Sequence, residues 1–260
     1  MRENAVRKRL HAGQAVFGTW LSIGDGLCAE MMAAVGWDWL LIDMEHGPVP
    51  LVRAAEMVTA VRGGGGTPFV RPAWNESSEI QRVLDLGAYG IIVPVVNTVD
   101  DARAVVRDAR FPPLGERSRG GVRGPLAFGT DGNTYRERAN GEILVFVQIE
   151  TDAAATNAAE IVAIAGIDGL FVGPNDLAAS SGKRWPDVWD RDSDYMEMVA
   201  SIPRICDAAG KTAGILARDP AMACQAVELG YRFVGIAADV TFMVSAASAA
   251  LKSARGETAR

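Results

Sequence analysis

The sequence predicts a single (β/α)8 barrel, a TIM barrel, over residues 1–260. Three observations predict it. Short apolar runs rich in Val and Ile alternate with stretches of helical periodicity along the whole chain. Eight such runs are present, and the length of 260 residues is close to the ~250 typical of one barrel. Near-continuous apolar strands, each followed by a helix, belong to a parallel sheet covered by helices. Eight such units in this length favour a closed sheet over an open, doubly wound one.

An N-terminal helix is expected from about Glu3 to His11, ahead of the first run, Val16–Ser22. The remaining runs are Trp39–His46, Thr67–Pro72, Gly90–Val96, Ile143–Glu150, Gly169–Asp176, Thr212–Leu216 and Arg232–Asp239. Between them, LVRAAEMVTAVR and DPAMACQAVELG space their apolar residues as a helix does. Gly36, Gly87, Gly166, Gly210 and Gly230 stand where helices should end. Two segments interrupt the alternation. Phe111–Gly141 holds FPPLGERSRGGVRGPLAFGTDGN, too long and too rich in Gly and Arg for a simple connection; Ala178–Asp194 includes KRWPDVWDRDSD. Both are expected as loops that can cover a site. The last helix, Val240–Ala254, is apolar and rich in small residues, as a helix packed on a second copy would be. Its alternative role is to cover its own sheet.

Composition excludes several classes. Apolar residues make up 49 % of the chain, spread evenly, and no run approaches the ~18 residues of a membrane helix. The opening MRENAVRKRLHAG lacks a secretory apolar segment, so a soluble, cytoplasmic protein is expected. The formal net charge is −6 and no basic stripe is evident, which argues against a nucleic-acid partner. Cys28, Cys206 and Cys224 are far apart and odd in number; they read as reduced thiols. His11 and His46 are the only histidines, so a three-histidine metal site is impossible. Any metal must lean on carboxylates, which favours a hard divalent ion such as Mg or Mn, with Co or Zn as further options.

Barrel enzymes carry their chemistry at the C-terminal ends of the strands. Here those ends bear Trp20 on the first run, Asp43, Glu45 and His46 on the second, and Arg71 on the third. The fifth ends Gln148-Ile149-Glu150, the sixth Gly173-Pro174-Asn175-Asp176, and the seventh carries Leu216. Acids, an Arg, a Gln and a His converging on one rim read as an active site rather than scattered solvated charge. Gln148 and Glu150, two apart, share a strand face. Glu150 and Asp176, on neighbouring strands, can chelate one cation while leaving positions open for water and substrate. The competing role for Glu150 is an ion pair with an Arg of the long Gly- and Arg-rich segment. The turn at Gly173–Asn175 suits a substrate carboxylate, or is an ordinary strand-to-helix turn.

Other features are negative. Gly63–Gly66 precedes the third run and so lies at the base of the barrel, where it reads as a linkage. No P-loop, dinucleotide fingerprint or G-x-S-x-G elbow is present. No strand end carries a Lys, since Lys183 and Lys211 lie elsewhere, which disfavours a Schiff-base mechanism.

Several segments in order resemble the HpcH/HpaI aldolase/citrate lyase family, in particular its class II pyruvate aldolases acting on 4-hydroxy-2-oxoheptanedioate and 2-oxo-3-deoxy sugar acids. They are GTWLS (Gly18–Ser22), WDWLLIDMEHGP (Trp37–Pro48), FVRP (Phe69–Pro72), VLDLGAYGIIVPVV (Val83–Val96), PPLGERS (Pro112–Ser118), VQIET (Val147–Thr151) and GPNDLA (Gly173–Ala178). The likeness covers about Phe17 to Val244. It implies an aldehyde-lyase that reversibly cleaves 4-hydroxy-2-oxo acids to pyruvate and an aldehyde through a metal-stabilised enolate. It implies Glu150 and Asp176 as metal ligands, Arg71 against the keto oxygen, and His46, oriented by Asp43, as acid and base. Asp85 is implied to serve that histidine across a subunit contact. Gln148 and Trp20 would line the pyruvate pocket and Glu45 would hold a metal-bound water. The Gly173, Pro174 and Asn175 backbone would take the carboxylate, and Leu216 would face the aldehyde. The likeness also implies C-terminal helices exchanged between subunits and a homo-oligomer, a hexamer of three dimers. Departures are the extra Arg119 and Arg123 and the Trp- and Asp-rich KRWPDVWDRDSD, both expected on the aldehyde side. Competing activities are a malyl- or citryl-type thioester lyase of the same superfamily, which needs room and cationic groups for coenzyme A, and a non-catalytic barrel binding 2-oxo acids.

Overall fold

The computed structural model describes residues 1–256. Eight parallel strands close in sequence order: β1 (Val16–Leu21), β2 (Trp39–Asp43), β3 (Pro68–Arg71), β4 (Gly90–Val93), β5 (Leu144–Ile149), β6 (Gly169–Val172), β7 (Thr212–Ala217) and β8 (Phe233–Ala238). All eight expected runs are strands. The polar residues that end several of them lie just beyond the ladder, in the loops of the mouth. The helices are α1 (Ala5–His11), α2 (Gly26–Ala34), α3 (Leu51–Gly63), α4 (Ser77–Asp85), α5 (Val99–Ala109), α6 (Arg123–Ala127), α7 (Gly132–Glu142), α8 (Asp152–Thr156), α9 (Ala158–Val162), α10 (Pro174–Ser180), α11 (Ser193–Ala208), α12 (Pro220–Glu228) and α13 (Asp239–Ala254).

The barrel interior is filled by aromatic rings set against glycines. Trp39, Phe69, Phe146, Phe171 and Phe233 are buried there, with Trp39 stacked on Phe233 at 4.1 Å and Phe146 on Phe233 at 4.6 Å. Each large ring needs a gap on the neighbouring strand. A Cβ at Gly18 would come within 2.1 Å of the Trp39 ring, and one at Gly90 within 2.1 Å of Phe69. Gly169 stands the same way beside Phe146, and Gly214 beside Phe171. Interdigitation of this kind gives a dense core and a rigid rim above it. Val6 and Leu10 of α1 plug the base. Asn4 caps that helix and donates its side-chain amide to Tyr89 O and Glu142 O at 2.9 and 2.8 Å. The five glycines expected to end helices all adopt positive φ, between 65° and 108°.

The segment 111–141 departs from expectation in two ways. It contains α6 and α7, the second capped by Asp131, which accepts the N–H groups of Asn133 and Thr134. It also follows a helix and leads into β5, which puts it at the base of the barrel, away from the mouth. Phe128 stacks on Tyr89 at 4.1 Å, and Arg123 donates to Ala55 O and Thr59 Oγ1. Arg119 and Arg123 are therefore not on the aldehyde side of their own barrel. The loop 181–192, between α10 and α11, does reach the mouth, where Trp185 stands near Trp20 and Leu216.

α13 leaves the barrel with only Asp239 buried. Met243, Val244 and Leu251 are more than half exposed. α2 is apolar apart from Glu30, yet Leu27 and Met31, with Val35 at its C-cap, are exposed to solvent at 65 %, 58 % and 69 %. A helix of that composition is ordinarily covered. Among the described residues no helix is long and apolar enough to cross a membrane.

Candidate active site

The β2–β3 register sets Asp43 directly opposite Arg71, and both are buried. Arg71 donates Nε to Asp43 Oδ1 at 2.9 Å and Nη2 to Oδ2 at 2.7 Å, a bidentate pair that fixes the guanidinium plane. Its Nη1 points along the rim, 3.0 Å from Glu45 Oε2 and 3.5 Å from Gln148 Oε1. Burial works against the Arg71 charge. Hydrogen bonding and charge from Asp43, then Glu45 and Glu150, outweigh it and hold the pKa above its ordinary value.

Asp43 also accepts the backbone N–H groups of Glu45 and His46 at 3.1 and 3.3 Å. With four donors converging on it, this carboxylate is a clamp for Arg71 and for the turn after β2. It reaches His46 through that residue's backbone. The imidazole itself is 65 % exposed, with Nε2 3.8 Å from Glu45 Oε2. Glu45 Oε2 is buried and, despite its nearness to Arg71, lacks a hydrogen bond of good geometry. Burial first, then repulsion from Glu150 and Asp43, pushes the Glu45 carboxyl up.

Glu150, just past β5, is pinned on both oxygens. Oε1 accepts the Val95 N–H at 2.8 Å and Oε2 accepts Gln148 Nε2. No arginine of segment 111–141 meets it, because that segment is at the other end of the barrel. Burial raises the Glu150 pKa, and the nearby Asp176 charge adds to the rise. Asp176 lies in the first turn of α10, exposed at the mouth. Gly173 leaves room for this arrangement: a Cβ there would sit 3.0 Å from Gln148 Nε2.

The turn into α10 offers fewer donors than its sequence suggests. Gly173 N–H donates to Ile149 O at 3.1 Å, and Pro174 has no N–H. The Asn175 and Asp176 N–H groups, in the first turn of α10, have no loop or cap partner among the described residues. Trp20 is 4 % exposed, edge-on to Trp39, and its Nε1 has no partner among the described residues. Leu216 packs on the inner core at the end of β7.

Asp85 stands apart from this group. It ends α4 at the base, where Arg117 Nη2 donates to it at 2.8 Å. Within one chain it does not meet His46.

Val95 was not legible as a site residue. It holds φ of 56°, a left-handed conformation that costs a β-branched residue strain of order 1–3 kcal/mol and that clusters at functional sites. That twist aims its N–H at Glu150. A search for Gly or Asn at turns passes over such a valine.

The donor set fits a divalent ion. Asp43, Glu45 and Glu150 gather around one guanidinium, Asp176 lies near Glu150, and burial pushes the Glu45 and Glu150 carboxyls up. A cation beside Glu150 and Asp176 would relieve that repulsion. Among the described residues no three His, Cys, Asp or Glu side chains converge on one point, so the remaining positions would fall to water and substrate, as a catalytic site requires.

Comparison with known proteins identifies the family. The model of the HpcH/HpaI aldolase/citrate lyase family matches residues 17–246. The chain is 38 % identical to the hydroxypyruvate/pyruvate aldolase of Sagittula stellata over 95 % of this chain and 96 % of that one. It is 37 % identical to the 4-hydroxy-2-oxo-heptane-1,7-dioate aldolase of Salmonella dublin over 95 % and 93 %. A crystal structure of a family member from Burkholderia cenocepacia superposes with a TM-score of 0.89 at 36 % identity, covering 97 % of this chain and 99 % of that one. Members of the family generally depend on a divalent metal ion. With the family model covering most of its length, the chain belongs to the HpcH/HpaI aldolase/citrate lyase family and is a carbon–carbon lyase of the aldolase type.

Proposed function

We propose that the chain reversibly cleaves 4-hydroxy-2-oxo acids to pyruvate and an aldehyde, with Glu150 and Asp176 holding a divalent ion, Mg, Mn or Co. The observation that carries this reading is the acid-rich ring around Arg71, with one guanidinium nitrogen free of Asp43 and aimed at the mouth. A bound divalent ion supplies Lewis-acid stabilisation to an oxygen that becomes negative.

The chain's own residues supply the rest. Asn175 and Asp176 N–H receive the substrate carboxylate. Arg71 Nη1 donates to the keto oxygen and strengthens that bond as negative charge grows there, a contribution of several kcal/mol when the donor is fixed in advance. Asp43 keeps it fixed. Gln148 holds Glu150 and shares the Arg71 edge. In cleavage, His46 takes the 4-hydroxyl proton directly or through a water that Glu45 Oε2 accepts. The C3–C4 bond breaks, the aldehyde leaves, and its electron pair delocalises onto the keto oxygen. His46 then returns a proton to C3, giving pyruvate.

α13 and the uncovered apolar face of α2 support a homo-oligomer in which α13 is exchanged with a second copy. Assembly as a hexamer would bring Asp85 of one copy towards His46 of another. The three unpaired cysteines suit a reducing, cytoplasmic setting.

Pyruvate release from a racemic 4-hydroxy-2-oxo acid, coupled to lactate dehydrogenase, tests the reading. Activity that EDTA abolishes and Mg, Mn or Co restores, and that Glu150→Gln removes, is the expected result. Activity indifferent to EDTA would overturn the metal assignment.

A further inference from the structure

Beside the pyruvate site the mouth opens into a cleft of about 290 Å3. Trp20, Pro174 and Asn175 form its inner wall and belong to the pyruvate side as well. Leu216 and Trp185 form the outer walls, and among the described residues Arg218 is the only charged side chain lining it. The cleft is otherwise apolar apart from Asn175 and Thr241.

Arg218 is placed there by the strand. It follows the last residue of β7, two positions after Leu216, and both side chains line the cleft. Asp219 holds it by one edge only. Asp219 Oδ1 caps α12 through the Met222 N–H at 2.9 Å, and Oδ2 accepts Arg218 Nε at 2.8 Å. Both terminal nitrogens of Arg218 have no protein partner among the described residues. Trp185 closes the opposite side, its ring edge-on to Trp189 on the same loop.

A guanidinium with a free two-nitrogen edge at the end of an apolar cleft is suited to bidentate recognition of a planar or tetrahedral anion. We infer that Arg218 selects the acceptor: the preferred aldehyde carries an anionic group, carboxylate or phosphate, at the end remote from its carbonyl. The aldehyde carbon faces the pyruvate site past Trp20 and Leu216, the short chain lies against Trp185, and the anion meets Arg218. This inference rests on the aldolase reading and assigns to Arg218 a specificity role within it. The side chain is 45 % exposed, so the discrimination is about tenfold rather than the larger factor of a dry ion pair.

The test compares acceptors matched in length, each with pyruvate and a divalent ion. Succinic semialdehyde is set against butanal, and glyceraldehyde 3-phosphate against glyceraldehyde. The quantity read is the ratio of kcat/KM within each pair, in the wild type, Arg218→Ala and Arg218→Glu. A wild-type ratio favouring the anion that falls about tenfold in Arg218→Ala, and further in Arg218→Glu, supports the inference. The pair in which this happens identifies carboxylate or phosphate. Ratios unchanged by both substitutions overturn it, while a wild type that forms a new carbon–carbon bond with none of the four overturns the aldolase reading itself. Because each ratio is internal to one preparation, partial misfolding does not imitate the effect.

Discussion

Two buried arginines at opposite ends of the barrel serve opposite purposes. Arg110, at the base and 1 % exposed, spends its guanidinium on structure. It donates to Gly166 O, Asn140 O and Ile143 O and pairs with Asp168. Arg71, at the mouth and 6 % exposed, meets carboxylates instead, with more of them nearby than one charge can neutralise. Their electrostatics differ in the same way. Burial lowers the Arg110 pKa against a single acid, whereas the acids around Arg71 raise its pKa in spite of burial. A saturated cation ties elements together; an acid-rich ring around a cation is left ready for a ligand.

Substitution should separate the two arginines cleanly. Arg110→Ala orphans three carbonyls and leaves Asp168 to Arg7 alone, so about 3–5 kcal/mol of stability should be lost, read from urea unfolding. Arg71→Ala should lower kcat/KM by roughly 10²–10³-fold, the usual cost of losing one preorganised donor to a developing oxyanion. Its loss of stability should be smaller than that of Arg110→Ala, since the acids it abandons can take up protons or a metal ion at a wet rim. Equal stability losses would mean that Arg71 is as structural as Arg110.

Smaller effects are expected away from the two arginines. Gly90→Ala drives a methyl into the Phe69 ring and should cost about 1–3 kcal/mol, seen as a lower Tm. Asp131→Ala removes the cap of α7 at the base and should lower Tm slightly without changing kcat. The gentlest effect is on pH dependence. Glu45 and Glu150 have folded pKa values above their unfolded ones, so the folded chain holds protons that the unfolded chain has released. Their contribution to stability is full below the ordinary carboxylate pKa of about 4.3 and is lost as pH rises through the raised values. In EDTA, urea midpoints should decline across that window, less so in Glu150→Gln, and a divalent ion should flatten the decline.

Much of this was legible in the sequence because barrel strands are buried on both faces and read as unbroken apolar runs. Polar residues ending such runs, from Asp43 to Asp176, then mark the rim. Position along the barrel axis was harder. Segment 111–141 looks like a lid by composition, yet a segment that follows a helix and leads into a strand lies at the base whatever its content. Its helices were hidden by Gly124, Gly132 and Gly141, which weaken the helical pattern without preventing α6 and α7. The role of Asp43 shifted because neighbouring-strand register, which sequence does not display, sets it opposite Arg71. Val95 and Arg218 were missed for different reasons. One acts through a backbone N–H that its own side chain disfavours, and the other lies one residue beyond the end of its strand.

If the mouth works as proposed, it stabilises a carbanion next to a keto group. Exchange of the pyruvate methyl protons with deuterium, followed by proton NMR with no aldehyde present, tests it most directly. The expected result is exchange that requires a divalent ion, stops in EDTA, and is lost in both Arg71→Ala and His46→Ala. Exchange that persists in EDTA or without Arg71, or no exchange in the metal-loaded wild type, would contradict it.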